Sequence, residues 1–194
     1  GHDQKWQGLS EVFDKLKVYN QKKLGESGID TLVTSCAECF RTFALDYELE
    51  GMKIMHTTEY LVENDFDMDL AVDDDVTVTY HDPCRLGRQM DLYDKPRDLV
   101  QSVEGVNLVE MEHHGEDALC CGVSSMMACN ENSRALRIQR FDEVNATGAD
   151  VMLTTCPKCV AHFECLKFEG DPRHDFEILD VVSFLARQIE SKSQ

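Results

Sequence analysis

The feature that most constrains the fold of this chain is an internal repeat. Residues 28–43 and 148–163 share one pattern at an offset of 120 positions: Gly-x-Asp, an apolar run ending in Thr-Ser or Thr-Thr, a Cys-x-x-Cys pair, and a closing Phe. A helical pattern precedes each copy, and a short apolar run and a second amphipathic segment follow it. Repeats of this length are supersecondary units that pack against one another. We therefore expect two related lobes, each with the order helix, strand, Cys-x-x-Cys, helix, strand, helix.

Short β-branched runs predict six strands, near residues 29–35, 53–56, 76–81, 106–111, 149–155 and 176–179. Helical patterns alternate with most of them, which favours an α/β fold with parallel sheets and right-handed crossovers. We expect two pseudo-symmetric Rossmann-like lobes, at residues 1–70 and 71–194. The aspartate-rich segment 64–75 is interpreted as the solvated loop that links them.

The charge balance excludes two classes of partner. Asp and Glu number 37 against 19 Lys and Arg, which gives a formal net charge of −18. Nucleic acids and anionic lipid surfaces both attract basic proteins, so neither is an expected partner. No apolar run is long enough for a membrane span, and the first residues do not resemble a signal peptide. We expect a cytoplasmic location, with a partner subunit as the only route to a membrane surface.

Nine cysteines are the main chemical signal. In a reducing cytoplasm, clustered cysteines indicate metal or redox chemistry rather than structural disulfides. Cys36, Cys84 and Cys156 each follow a predicted strand. Because ligands of parallel α/β sheets bind at the carboxyl ends of the strands, we expect these cysteine sites at one edge of the sheet.

The second lobe carries the fuller cysteine set. Neighbouring thiolates such as Cys120 and Cys121 repel each other unless a cation lies between them, and Gly122 permits a tight backbone turn beside a bulky inorganic group. Five cysteines make up the candidate ligand set: Cys84, Cys120, Cys121, Cys156 and Cys159. Five thiolates exceed the four ligands of a tetrahedral zinc site and suit an iron–sulfur cluster, with zinc as the alternative occupant.

These motifs together resemble a known family, the CCG domains of heterodisulfide reductases and related iron–sulfur subunits. Further similarity lies in residues 34–42, in residues 80–88 (Tyr-His-Asp-Pro-Cys-Arg-Leu-Gly-Arg) and in residues 93–97 (Tyr-Asp-Lys-Pro-Arg). The chain looks most like the carboxyl-terminal part of the D-type subunit. The resemblance implies that the five cysteines bind a non-cubane [4Fe–4S] cluster. It also implies a second, similar site in the first lobe, where only Cys36 and Cys39 are present, so that lobe is expected to be amino-terminally incomplete.

The resemblance also implies a function, an iron–sulfur redox domain that delivers electrons to a disulfide substrate. Two alternatives stay open: an iron–sulfur protein that passes electrons between a flavoprotein dehydrogenase and quinone, and a zinc-stabilised interaction module. The implied partners are a disulfide or thiol substrate and other redox subunits or domains of ferredoxin-like, cytochrome b-like or flavoprotein type.

Several other residues have two interpretations each. His81 is a candidate proton donor or hydrogen-bond donor to a cluster sulfur, or a structural residue at the end of its strand. Arg85 and Arg88 are candidates to face an anionic substrate or cluster, or to pair with Asp82 or Asp91. The remaining candidates are predicted to have structural roles: Cys129 and Cys165 as buried apolar residues, Met126 and Met127 in packing, and His113-His114 in a solvated loop.

Overall fold

A computed structural model describes residues 1–64, 69–123, 130–173 and 175–191, with no side chains described for residues 190 and 191. The first lobe contains α1 (His2–Trp6), α2 (Ser10–Ser27), β1 (Thr31–Thr34), α3 (Ala37–Asp46), β2 (Lys53–His56) and α4 (Thr57–Glu63). The second contains β3 (Ala71–His81), α5 (Gly87–Met90), α6 (Asp94–Gln101), β4 (Glu104–Val109), a 3-10 turn (Gly115–Asp117), α7 (Glu131–Thr147), β5 (Val151–Thr154), α8 (Pro157–Phe168), β6 (Glu177–Asp180) and α9 (Val181–Ser191).

Both sheets of the described chain are parallel, as the alternation of helices and strands predicts. Strands β1 and β2 pair with Leu32 opposite Ile54. The second sheet has the order β4-β3-β5-β6, and β5 and β6 pair with Met152 opposite Ile178. The pairs β1–β2 and β5–β6 belong to corresponding parts of the repeat. The α/β prediction is therefore confirmed, whereas the division of the chain at residue 70 stays a prediction.

The link between the lobes differs from the sequence prediction. Strand β3 already begins at Ala71, which pairs with Glu104, so residues 71–75 are not loop. Val72 packs against the apolar core while Asp73, Asp74 and Asp75 remain exposed. The aspartates hide this strand from a search for apolar runs. Residues 65–68 of the expected linker lie outside the described part of the chain.

Local signals explain where the site-bearing helices begin. Cys36 and Cys156 are the N-cap residues of α3 and α8, both in extended conformation, and Pro157 occupies the first turn of α8. Proline suits that position because the first helical N–H groups have no partner within the helix. Each Cys-x-x-Cys pair thus opens a helix directly after a strand, as predicted.

The core joins the two lobes. One buried cluster contains Ala37 and Phe40 of α3 together with Leu86, Phe163 and Ile178 of the second lobe. Three of the candidate ligands belong to the same cluster, namely Cys121, Cys156 and Cys159. The candidate metal-binding edge is therefore held between the lobes by packed apolar side chains rather than by surface loops alone.

Candidate metal centre

Three segments bring the five cysteines of the second lobe to one cavity. Cys84 lies just beyond the end of β3, Cys120 and Cys121 lie in the loop after the 3-10 turn, and Cys156 and Cys159 lie at the start of α8. The Sγ atoms of Cys121 and Cys159 are 3.3 Å apart. Cys121, Cys156 and Cys159 are buried, whereas Cys84 and Cys120 are half-buried at the cavity wall. Sulfur donors from two strand ends and one loop thus line a single cavity.

The thiols compete with one another for ionisation. The hydrogen bond between the side chains of Cys84 and Cys120, with burial, raises the pKa of Cys84 well above its usual range. Contacts of Cys159 with Cys121 and Cys156 raise its pKa in the same way, and the pKa of Cys121 rises to about 12, chiefly through Cys120. Neighbouring thiolates in a buried place need a positive partner. This donor set therefore fits a thiophilic metal centre, which would take up the charge of the thiolates.

Gly122 has the conformation that the tight turn requires. Its φ is +87°, in the region that glycine favours, and its N–H donates to Cys120 Sγ at 3.3 Å. A Cβ at this position would lie 2.7 Å from the carbonyl oxygen of Ser133 and 3.3 Å from His162 Nε2. The side chain of any other residue at position 122 would therefore press against the backbone of Ser133 and the buried ring of His162.

The first-lobe pair lies beside this cavity in a more open pocket. Cys39 is exposed and Cys36 is half-buried, and a hydrogen bond from Cys39 lowers the pKa of Cys36 to about 7. The middle residues of the two Cys-x-x-Cys motifs form the wall that both pockets share, with Lys158 Nζ 3.0 Å from Glu38 Oε2. Cys36 and Cys39 thus lie across an ion pair from the five-cysteine cavity.

His81 lies next to two of the cysteines, although it is not among the described residues that line the cavity. It is buried, its ring packs edge-on against Phe163 at 4.9 Å, and its ligand atom lies within 4.8 Å of the sulfurs of Cys121 and Cys159. Burial, with the charge of Arg140, lowers its pKa well below the ordinary value. This shift favours the neutral ring, which can donate a hydrogen bond to sulfur through its one N–H.

The arginine pairings differ from those predicted. Arg97, not Arg85 or Arg88, binds Asp82, with its Nη1 2.7 Å from Oδ1, and it also binds Glu110. Arg88 instead donates to the backbone carbonyls of Glu116 and Ala118. The ion-pair prediction assumed neighbours in sequence, whereas α6 returns Arg97 to the end of β3. Arg97 also donates to the carbonyl oxygen of Tyr93, four residues earlier.

Arg85 lies beside the candidate metal centre. It lines the five-cysteine cavity and is 9% exposed, and its guanidinium carbon lies 3.8 Å from the ring centroid of Trp6. This stacking fixes a positive charge at the cavity wall. Among the described residues, Arg85 Nε has no hydrogen-bond partner.

Sequence reasoning missed a buried basic layer behind the cysteines. Arg137 and Arg140 of α7 are fully buried, and His162 of α8 is fully buried as well. Arg140 donates to the His113 carbonyl and to Glu143, both at 2.7 Å, and Arg137 lies 3.4 Å from Glu169. The signal was their spacing: the two arginines are three residues apart, on the side of α7 that also carries buried Phe141 and Val144.

Of the residues predicted to be structural, His113, His114 and Cys165 lie within the described part of the chain. His113 lies in a loop, with Nδ1 2.8 Å from Glu143 Oε1, and His114 Nδ1 lies 2.8 Å from the Met111 carbonyl oxygen. Cys165 is half-buried on α8, less buried than predicted. The predictions for Met126, Met127 and Cys129 fall outside the described residues.

Comparison with known proteins finds a matching family model over the cysteine-bearing part of the chain. Residues 78–164, which contain all five cysteines of the cavity, match the family model described as the CCG cysteine-rich domain. This stretch of the chain is therefore similar to the cysteine-rich domains of the CCG type.

The matching relatives are iron–sulfur proteins and redox subunits. The chain is 31% identical to an uncharacterized iron–sulfur protein of Methanococcus maripaludis, over 94% of the chain and 37% of that protein. It is 29% identical to the D-type subunit of the dihydromethanophenazine:CoB–CoM heterodisulfide reductase of Methanosarcina acetivorans, over 93% of the chain and 46% of that protein. It is 28% identical to the B-type subunit of the fumarate reductase (CoM/CoB) of Methanothermobacter marburgensis, over 92% and 36%.

These matches show that the chain is related over most of its length to iron–sulfur oxidoreductase subunits. It spans about a third to a half of the length of these relatives. Within the described residues, no helix combines the length and the apolar character that a membrane crossing requires.

Proposed function

We propose that Cys84, Cys120, Cys121, Cys156 and Cys159 bind one iron–sulfur cluster of the non-cubane [4Fe–4S] type, and that the domain delivers electrons to a disulfide substrate. The observation that carries the proposal is the convergence of five sulfur donors on one cavity. Thiolates are the protein ligands of iron–sulfur clusters, and five of them exceed what a tetrahedral zinc ion accepts. Such a cluster, when bound, supplies electrons one at a time.

The chain's own residues support an anionic cluster at this place. Cys156 is the N-cap residue of α8 and Cys159 lies in its first turn, so both are close to the positive end of the helix dipole. Arg85 contributes positive charge to the cavity wall, where the charge of Lys158 is paired with Glu38, although the chain as a whole is strongly acidic. Gly122 leaves room at the backbone beside the adjacent cysteine pair. The apolar core excludes water from the three buried sulfurs.

A disulfide is the substrate class that we favour, because two relatives carry the same two thiol coenzymes, CoM and CoB, in their names. Reduction of a disulfide consumes two electrons and two protons and releases two thiols. We propose that His81 holds a sulfur through a ring N–H and that Arg85 holds an anionic substrate group at the cavity wall. The first-lobe pair Cys36 and Cys39 would belong to a second metal site across the Glu38–Lys158 wall.

The first experiment asks whether the cluster exists. The protein is purified anaerobically and analysed for iron, acid-labile sulfide and zinc, with electron paramagnetic resonance on the reduced and oxidised forms. We expect iron and sulfide in equal amounts for the wild type and for Cys165→Ala, a matched cysteine variant on α8 outside the cavity. Cys121→Ala should lose most of the iron. Zinc without iron in the wild type would support the interaction module instead, and unchanged iron in Cys121→Ala would refute the five-ligand assignment.

The second experiment separates disulfide reduction from electron transfer to quinone. The reduced protein is mixed anaerobically with a small disulfide or with a soluble quinone, and released thiols are counted against electrons consumed. Two thiols for every two electrons support the proposed reaction. Rapid quinone reduction without thiol release would favour the alternative, a protein that passes electrons from a flavoprotein to quinone. The partner would then be another redox subunit rather than a thiol substrate.

A further inference from the structure

The buried imidazole of His162 is the feature that the proposed site does not yet use. This residue lies one helical turn after Cys159 on α8 and has no exposed surface. Neither of its ring nitrogens has a hydrogen-bond partner among the described residues. A neutral imidazole carries one N–H donor and one acceptor, and leaving both unpaired in the interior is costly. A residue kept there for packing alone would be better replaced by leucine or phenylalanine.

The ring lies against Gly122, the residue that follows the adjacent cysteine pair. Nε2 of His162 lies 3.3 Å from the place that a Cβ on Gly122 would occupy, so the absence of a side chain at Gly122 leaves this nitrogen open toward the turn. The charge of Cys120 acts on the ring, raising its pKa, while burial and the nearby Arg137 outweigh that effect and lower it. The nitrogen without a partner therefore lies beside the turn that carries the two adjacent cysteines.

We infer that His162 is a positioning residue for the cluster: its ring N–H, at Nε2, donates a hydrogen bond to a sulfur atom held at the Cys120-Cys121-Gly122 turn and so raises the reduction potential of the cluster. This inference rests on the proposed cluster. Hydrogen bonds to cluster sulfurs are among the main determinants of iron–sulfur potentials, because they stabilise the more negative, reduced form. Sulfur would also satisfy the buried donor, which explains why a polar ring is tolerated in a dry core.

The test compares three variants of the anaerobically prepared protein with the wild type. His162→Leu removes the donor at similar volume, and His162→Gln retains an N–H. His113→Leu is the matched control, since His113 pairs with Glu143 outside the cysteine cavity. The midpoint potential is measured by a redox titration followed by electron paramagnetic resonance. Exchangeable protons near the cluster are detected by their loss in deuterium oxide, and urea unfolding is measured on the metal-free proteins.

We expect the His162→Leu potential to be more negative than that of the wild type, with loss of one exchangeable proton coupling. His162→Gln and His113→Leu should stay close to the wild type. Metal-free His162→Leu should be at least as stable as the metal-free wild type, because it removes two unpaired buried polar atoms. If this variant folds but binds no cluster while His162→Gln does, the result also supports the inference.

Two results would overturn the inference while leaving the proposed function intact. One is a His162→Leu cluster with the wild-type potential and the wild-type proton couplings. The other is a potential that moves equally in His162→Leu and His162→Gln, which would show that the donor is not what matters. A wild-type protein that assembles no cluster at all would instead overturn the proposed function, and this inference with it.

Discussion

Replacement of Gly122 by alanine should destabilise the protein well beyond the usual effect of such a change. The φ of +87° alone costs an L-residue about 1–2 kcal/mol. The new Cβ would in addition lie 2.7 Å from the Ser133 carbonyl oxygen, far inside contact distance. Ser133 cannot move easily, because it forms the capping box of α7 with Asn130. Overpacking of this kind adds about 1–3 kcal/mol, so we expect a total loss of about 2–5 kcal/mol.

A matched glycine separates the two contributions. Gly148, at the C-terminus of α7, has a φ of +69°, but a Cβ added there would have no atom within 4 Å. Gly148→Ala should therefore cost only the backbone term, about 1–2 kcal/mol. The difference between the two variants isolates the contact with Ser133 and should be about 1–3 kcal/mol.

The assay is urea unfolding of the metal-free, reduced protein, with the free energy compared at equal m-values. Iron content of the reconstituted variants gives a second measurement, in which Gly148→Ala should match the wild type and Gly122→Ala should fall well below it. If Gly122→Ala is no less stable than Gly148→Ala, the close approach of Gly122 to α7 is not a constraint, and the reasoning about the turn is wrong.

Two further predictions concern buried charge. Arg97→Met should lower the free energy of unfolding in urea by about 3–5 kcal/mol, because it leaves the buried Asp82 carboxylate without its cation. Arg187→Met breaks an exposed ion pair with Glu177 and should cost under about 1 kcal/mol. Similar losses for both variants would contradict the buried pairing of Arg97 with Asp82. Burial lowers the pKa of His56 to about 4 from 6.5. As the pH falls below 6.5, His56 is therefore protonated in the unfolded chain before it is protonated in the folded protein, and the free energy of unfolding decreases. Between pH 7 and pH 5 the wild type should therefore lose about 2 kcal/mol more than His56→Gln, and parallel pH dependences would exclude this role of His56.

The sequence was most informative where one local pattern determines the structure. Strands near 29–35, 53–56, 149–155 and 176–179 correspond closely to β1, β2, β5 and β6, since each is a short apolar run between turn residues. The Cys-x-x-Cys pairs begin helices as expected, because each pair directly follows a strand and its first cysteine is the N-cap residue of the next helix. The convergence of the cysteines then followed from the rule that parallel strands share one carboxyl edge.

Long-range partners were the part that the sequence did not reveal. Asp82 has two arginines within six residues of it, yet it binds Arg97, because α5 and α6 fold back toward the end of β3. Nothing in the sequence indicated that His162 is buried, because the burial of a polar ring depends on how neighbouring elements pack around it. The start of β3 at Ala71 was missed for the opposite reason: exposed aspartates continue a strand whose other face packs on the core.

The Glu38–Lys158 ion pair makes the two copies of the repeat chemically different. The two residues occupy equivalent positions of the repeat, the second variable residue of each Cys-x-x-Cys, yet one is acidic and the other basic. Two identical copies of either lobe, facing each other in this way, would place like charges in contact inside a half-buried wall, which is unfavourable. Opposite charges at this one pair of positions therefore favour the association of unlike lobes and disfavour the pairing of each lobe with its own copy, so the two cysteine-bearing halves of the repeat are not interchangeable.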